Sequence, residues 1–277
     1  MHTMIKTIFC VIKHTMFLVL LVFLLSAINL SAQQTDSLEE VSISELKSDK
    51  HTMIALTFGQ SNAGNRGQKP YTCRNKNVLI YAGGKLYHAK DPLPGATGPG
   101  GSVWSVLGDM LIDSGMFKKV IFIPIAIGNT AIDCWARGEC YRKLEKTLLH
   151  FDSAKIQLTH IFWHQGESDN LNNTFRRQYK NDLGVLLKTF INNNQKADFY
   201  ISVASYHNEA ISKPLGIDTI IQNAQKEFIK ENKKVFQGPD TDKLIYAIHR
   251  WDAVHFSEYG MKVFAAWWLR AIKNRKE

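Results

Sequence analysis

The sequence predicts an α/β protein, a three-layer α/β/α sandwich around a mainly parallel central sheet. Short apolar runs rich in Val, Ile, Phe and Tyr recur without strict polar alternation, the pattern of strands buried on both faces. Between them lie longer amphipathic stretches, and strands alternating with helices imply βαβ units with right-handed crossovers. The composition agrees. A chain of 277 residues that is 45% hydrophobic and 21% charged is neither a disordered tail, a collagen-like fibre nor a multi-span membrane protein.

The elements follow in order. Residues 17–30 are apolar, preceded by Lys6 and Lys13 and followed by Ser31-Ala32. They fall short of the roughly 20 residues a spanning helix needs, so residues 1–32 read as a secretory signal cleaved after about Ala32, with an uncleaved N-terminal anchor as the alternative because Leu30 is a poor residue three before the cut. A polar lead covers 33–50, and one domain covers 51–277. Within the domain, strands are expected at 53–58, 78–81, 120–127, 160–163, 199–204 and 244–248, where the β-branched and aromatic runs fall. Helices are expected at 102–114, 141–151, 174–191, 217–230 and 257–272. The Gly/Pro-rich segment 92–101 is the one long loop, and such loops tend to border a site.

Charge and cysteines narrow the function class. Signal removal takes two lysines and no acids, lowering the formal charge from +9 to +7. The remaining lysines and arginines are scattered with no aromatic interleaving, which argues against a nucleic-acid partner and for a solvated basic surface. The expected location is outside the cytoplasm, periplasmic or extracellular, with no stable membrane partner after cleavage. Three cysteines then remain: Cys134 and Cys140 form the best disulfide pair by closeness in sequence, with Cys73 as competitor.

Open parallel sheets bind ligands at the carboxyl ends of their strands. Four such ends are unusual: Gly59-Gln60-Ser61-Asn62, Gly128-Asn129-Thr130, His164-Gln165-Gly166-Glu167-Ser168-Asp169, and Trp251-Asp252-Ala253-Val254-His255. A serine hydroxyl is a poor nucleophile until an imidazole takes its proton, and the imidazole works best when a carboxylate fixes its tautomer. Ser61, His255 and Asp252 supply those groups. Gly59 and Gly128 permit sharp turns, and the amides of Ser61 and Gly128 with the Gln165 side chain are the expected oxyanion donors. Gln60, Asn62, Asn129 and Glu167 are expected to support the site.

With these blocks in hand, the chain resembles the SGNH hydrolase superfamily, in particular the branch of sialate O-acetylesterase-like domains and acetyl xylan esterases. The match rests on Gly-Gln-Ser-Asn at 59–62, His-Gln-Gly-Glu-Ser-Asp at 164–169 and Asp-x-x-His at 252–255, and extends over about 52–272. The resemblance implies a flavodoxin-like fold, Ser61 as nucleophile, His255 as base and Asp252 as its orienter. It also implies Ser61, Gly128 and Gln165 as the oxyanion hole. The chain departs from the pattern at Ala63, where methionine is common, at Asn129, where a second glycine is usual, and at Gln165, where the wider superfamily has asparagine.

Rival readings attach to a few residues. His160 and His164, four apart with Glu167 nearby, would make a zinc site on a helix, but their segment reads as strand, so no metal is expected. Glu167 competes with Asp252 as the carboxylate behind His255. Trp104, Trp135, Trp163 and Trp251 could stack on sugars, although core packing is the better reading of each taken singly. Arg66 and Arg250 could hold an acidic sugar, and Arg66 and Trp251 are the candidate substrate-binding residues. The reading is an exported serine esterase, without cofactor, that removes O-acetyl groups from an acetylated oligo- or polysaccharide or sialic acid. The alternatives are a non-catalytic carbohydrate-binding protein of the same fold and a metal-dependent hydrolase.

Overall fold

Strand β2 (Thr52–Gly59) is buried along its whole length in the computed structural model, which describes residues 38–47 and 49–276. Its side chains alternate between two apolar layers: Ile54, Leu56 and Phe58 enter one, Met53 and Ala55 the other. That two-sided burial is why the segment reads as a continuous apolar run. The expected signal segment lies outside the described residues. Part of the polar lead is described, and it contributes an edge strand, β1 (Glu40–Val41).

The eight-stranded sheet has the order β1-β4-β3-β5-β2-β6-β7-β8. Strands β3 (Val78–Ala82), β5 (Lys119–Pro124), β6 (His160–His164), β7 (Asp198–Val203) and β8 (Val235–Asp240) run parallel with β2. An antiparallel flap of β4 (Lys85–His88) and β1 extends one edge. The β3–β4 connection is Gly83-Gly84 with φ of 59° and 81°, a two-residue turn that glycine enters without a Cβ penalty.

Helices cover both faces. Helix α1 (Val103–Asp113) packs Trp104, Val106 and Leu107 onto one layer, with Phe264, Ala265 and Trp268 from the terminal helix (Glu258–Lys276). The other layer takes Ile132 and Trp135 from α2 (Ile132–Arg137), Leu144 and Leu148 from α3 (Glu139–Ala154), and a short α4 (Glu167–Leu171) stands at the strand ends. It is completed by Leu183 and Phe190 of α5 (Arg176–Asn192) and Ile221 and Phe228 of α6 (Thr219–Glu231); the terminal helix is α7. Residues 39–47 and 49–276 cluster as one compact unit. No helix among the described residues is long and apolar enough to cross a membrane.

One expected strand is corrected. Residues 244–248 are irregular, with Leu244 buried but Tyr246 and Ile248 exposed. The sixth parallel strand is instead β8, whose Gly238-Pro239 breaks the apolar pattern. Proline has no N–H to give, and β8 lies at the edge of the sheet, where that donor is dispensable.

Candidate active site

Ser61 sits where the chain's connections change direction. Strands β3 and β5 lie on one side of β2, and β6, β7 and β8 on the other, so the end of β2 is the switch point of the sheet. There Gly59 has φ of 126°, and a Cβ would stand 2.0 Å from the His164 carbonyl oxygen. Only glycine passes this close to β6. The Gln60 amide donates to that carbonyl at 3.1 Å, and the chain then tightens into a 3₁₀ turn, Ser61–Ala63.

Asp252 and His255 sit on a hairpin-like loop after β8. Asp252 Oδ1 accepts the amides of Val254 at 3.0 Å and His255 at 2.6 Å, while Oδ2 meets His255 Nδ1 at 2.6 Å. Burial pushes the Asp252 carboxyl up, but the hydrogen bonds from the His255 ring and the two amides outweigh it and hold it below its ordinary value. The three-residue spacing is what lets one carboxylate cap the turn and grip the ring. Ser61 and His255 line a single cavity of about 420 Å³ with Asn129, Ser168, Leu171 and His207. No direct Ser61–His255 hydrogen bond forms among the described residues, and such bonds commonly tighten only with substrate in place.

Glu167 takes a different post from the expected alternative behind His255. It is buried, and its Oε1 accepts Asn62 Nδ2 at 2.9 Å, while the same amide donates to the Val254 carbonyl at 3.3 Å. Asn62 thereby ties the serine turn, α4 and the Asp252–His255 loop together. Gln60 does the same for α4: its Oε1 accepts Ser168 N at 3.0 Å and Gln165 Nε2 at 3.2 Å.

Arg250 is corrected from sugar ligand to internal brace. It is 3% exposed, its Nε donates to the Leu244 carbonyl at 2.7 Å and Nη2 to Thr241 O at 3.2 Å, and its guanidinium lies 4.0 Å from the Phe256 ring centre. Burial pulls its pKa down to about 10, against the opposing charges of Glu167 and Asp242, so it stays cationic at neutral pH. His164 is likewise internal, its Nε2 bonded to Thr241 Oγ1 at 2.9 Å, and His160 Nδ1 meets Thr159 Oγ1 at 2.8 Å. Neither shares a metal-binding group with two further ligands among the described residues.

The Gln165 and Gly128 amides, two of the expected oxyanion donors, each have a hydrogen-bond partner within the protein. Gln165 is completely buried and does not line the cavity. Its Nε2 donates to Asp169 Oδ2 at 2.5 Å and Thr130 O at 3.1 Å, and its Oε1 accepts Tyr179 OH at 3.0 Å. The Gly128 amide donates to Thr97 Oγ1 at 2.8 Å, and the left-handed φ of 58° belongs to Asn129, a residue that tolerates it. So the turn needs no second glycine, and Asn129 lines the cavity. Thr97 escaped the sequence reading, although the loop around it was flagged; Asn65 pins that loop by donating to Leu93 O at 2.9 Å and Ala96 O at 3.0 Å. Ser168 and His207 were also missed as lining residues; the end of β7 was the signal for His207.

Outside the cavity, Arg66 and Trp251 come together: the indole Nε1 donates to Arg66 O at 3.3 Å, and Trp251 is 51% exposed. Trp104, Trp135 and Trp163 are core residues. Cys134 and Cys140 are disulfide-bonded across the α2–α3 junction, and Cys73 is free.

A doubly wound sheet with a serine on the turn after its central strand, facing an Asp–His pair from the last loop, is the framework of an SGNH hydrolase. The chain belongs to the carbohydrate esterase, sialic acid-specific acetylesterase family, whose model matches residues 51–272. It is a carbohydrate O-acetylesterase by that membership. Among solved structures, a protein from Arabidopsis thaliana is similar with a TM-score of 0.62 at 17% identity, over 82% of this chain and 99% of that one. A family 3 carbohydrate esterase from Clostridium thermocellum is similar with a TM-score of 0.54 at 15% identity, over 81% and 96%. A carbohydrate acetylesterase from Xanthomonas citri is similar at 0.54 and 12% identity, over 80% of this chain and 56% of that one. At such identities these likenesses speak for the fold. No curated protein matches the chain.

Proposed function

We propose that the protein is an exported esterase that removes O-acetyl groups from acetylated oligo- or polysaccharides or sialic acids through an acetyl-serine intermediate. The observation that carries it is the 2.6 Å Asp252–His255 pair facing the same cavity as Ser61. With Nδ1 engaged by the carboxylate, Nε2 is the nitrogen left to accept the serine proton. Ser61 Oγ attacks the acetyl carbonyl as His255 takes its proton; the tetrahedral intermediate collapses, and His255 returns the proton to the departing sugar oxygen. Water, deprotonated by His255, then attacks the acetyl-serine, and as the Ser61 Oγ–acyl bond breaks His255 returns the proton to Ser61, releasing acetate. The Ser61 amide and Asn129, which lines the cavity, are the donors for the oxyanion, with Gly128 N sharing its hydrogen with Thr97 Oγ1. No step calls for a cofactor. Residues 1–32 act as the export signal, which puts the mature protein in the periplasm or outside the cell.

The test is acetate release from acetylated xylans, O-acetylated sialic acids and acetylated peptidoglycan fragments, run beside Ser61→Ala. Deleting the nucleophile should lower kcat by several orders of magnitude with the fold intact. A folded variant retaining a tenth of the rate would end the covalent serine mechanism.

A further inference from the structure

The loop that carries Asp252 and His255 also carries a row of exposed aromatic rings unused by the mechanism above. Arg250 and Phe256 form an antiparallel bridge, Trp251 N donates to His255 O at 3.0 Å, and Ser257 N to His249 O at 2.8 Å. Residues 249–257 are therefore a short hairpin with Asp252 at its tip. Arg250 and Phe256 are buried, whereas Trp251 is exposed and His249 and His255 are partly exposed, which marks the outward face. On that face the His249 ring stacks on Tyr259 at 5.8 Å and approaches Tyr246 at 6.2 Å. Tyr246, Trp251 and Tyr259 are 67%, 51% and 52% exposed. The Trp251 ring is held in place by its bond to Arg66 O.

These rings make a track that begins directly across the hairpin from His255. Beyond the hairpin it is extended by the His249–Tyr259 stack and the Tyr246 ring. His255, paired with Trp251 across the hairpin, lines the cavity, and the rings themselves lie outside it. Sugar rings present apolar C–H faces with hydroxyls at their edges, so a flat aromatic surface covers the face while the hydroxyls stay in water. We infer that Trp251, His249, Tyr259 and Tyr246 form a binding platform for the sugar residues that flank the acetylated one, making the protein an esterase of oligomeric rather than single-sugar substrates. This rests on the carbohydrate-esterase reading of the neighbouring site.

Two measurements test it. The first is the ratio of kcat/KM on acetylated oligosaccharides (xylohexaose and an O-acetylated sialyl-trisaccharide) to that on the corresponding acetylated monosaccharides. Tyr259→Ala and Trp251→Ala should each lower that ratio roughly three- to tenfold, with the change in KM, and Tyr259→Phe and Trp251→Phe should restore most of it. The second uses fluorescence: Trp104, Trp135, Trp163 and Trp268 are fully buried and Trp267 is partly buried, so the acrylamide quenching that disappears in Trp251→Phe is the contribution of Trp251. Unacetylated oligosaccharides should protect the wild-type protein from quenching and leave Trp251→Phe unaffected. A wild-type ratio near one, ratios unmoved by the alanine variants, or no protection would overturn the platform. Protection without acetate release from any sugar would keep the platform and defeat the esterase reading instead.

Discussion

Replacing Gln165 with alanine separates two accounts of that residue. If its amide served the oxyanion, its loss would cost about 2.7 to 4 kcal/mol in the transition state, a hundred- to thousandfold in kcat, with little change in stability. The structure places it differently. Removing the side chain leaves the Thr130 carbonyl without that donor and takes from the buried Asp169 carboxylate its 2.5 Å partner, although Ile132 N still donates to Asp169 at 2.8 Å. Gln60 Oε1 keeps Ser168 N, and Tyr179 OH keeps the Gln165 main-chain oxygen at 2.9 Å. Two weakened acceptors at about 1 to 3 kcal/mol each give a destabilisation of about 2 to 6 kcal/mol. For a domain of this size that lowers Tm by roughly 4 to 24 °C. Thermal and urea unfolding should show the loss, while kcat, measured well below the new Tm and corrected for folded fraction, should fall less than about tenfold. A variant with wild-type Tm and a hundredfold lower kcat would refute this reasoning and return Gln165 to the oxyanion hole.

Other outcomes follow from the same geometry. Asp252→Asn should cost kcat about a hundredfold or more, because an amide cannot accept both main-chain N–H groups and hold the ring in one tautomer. Glu167→Gln, which retains an acceptor for Asn62, should cost less than tenfold, and steady-state kinetics on one acetylated sugar would expose the reverse order. Gly59→Ala should prevent stable folding, since φ of 126° and a 2.0 Å contact with the His164 carbonyl leave no room for a methyl; a soluble variant with normal Tm contradicts this. Burial raises the Asp91 carboxyl to about 7 despite donors from Ser105, Ser102 and Tyr71. A raised folded value means the group stabilises fully below its unfolded value of about 3.9 and loses that contribution as pH rises through about 7. The Tm of Asp91→Asn relative to wild type should therefore climb between pH 4 and pH 8, and a constant difference would discount the effect.

The order of strands and helices was legible along most of the chain because parallel strands buried on both faces leave uninterrupted apolar runs, and β2 is the clearest case. The Asp252–His255 pairing was legible because its 2.6 Å contact spans only three residues, a spacing that local geometry enforces. β8 was hidden, since Gly238-Pro239 is tolerated only at an edge, and edge position is a property of the assembled sheet. Residue types alone could not say which amide points where. Gln165 and Asn129 both follow strands and both carry an amide, yet Gln165 is buried among Asp169, Thr130 and Tyr179 while Asn129 comes to the cavity wall. Arg250 looked like a surface cation until Phe256 and three carbonyls closed around it. Periodicity and short-range spacing act through the local backbone and can be read from the chain; the direction of a polar side chain depends on acceptors brought from distant segments, which only the packed tertiary structure sets.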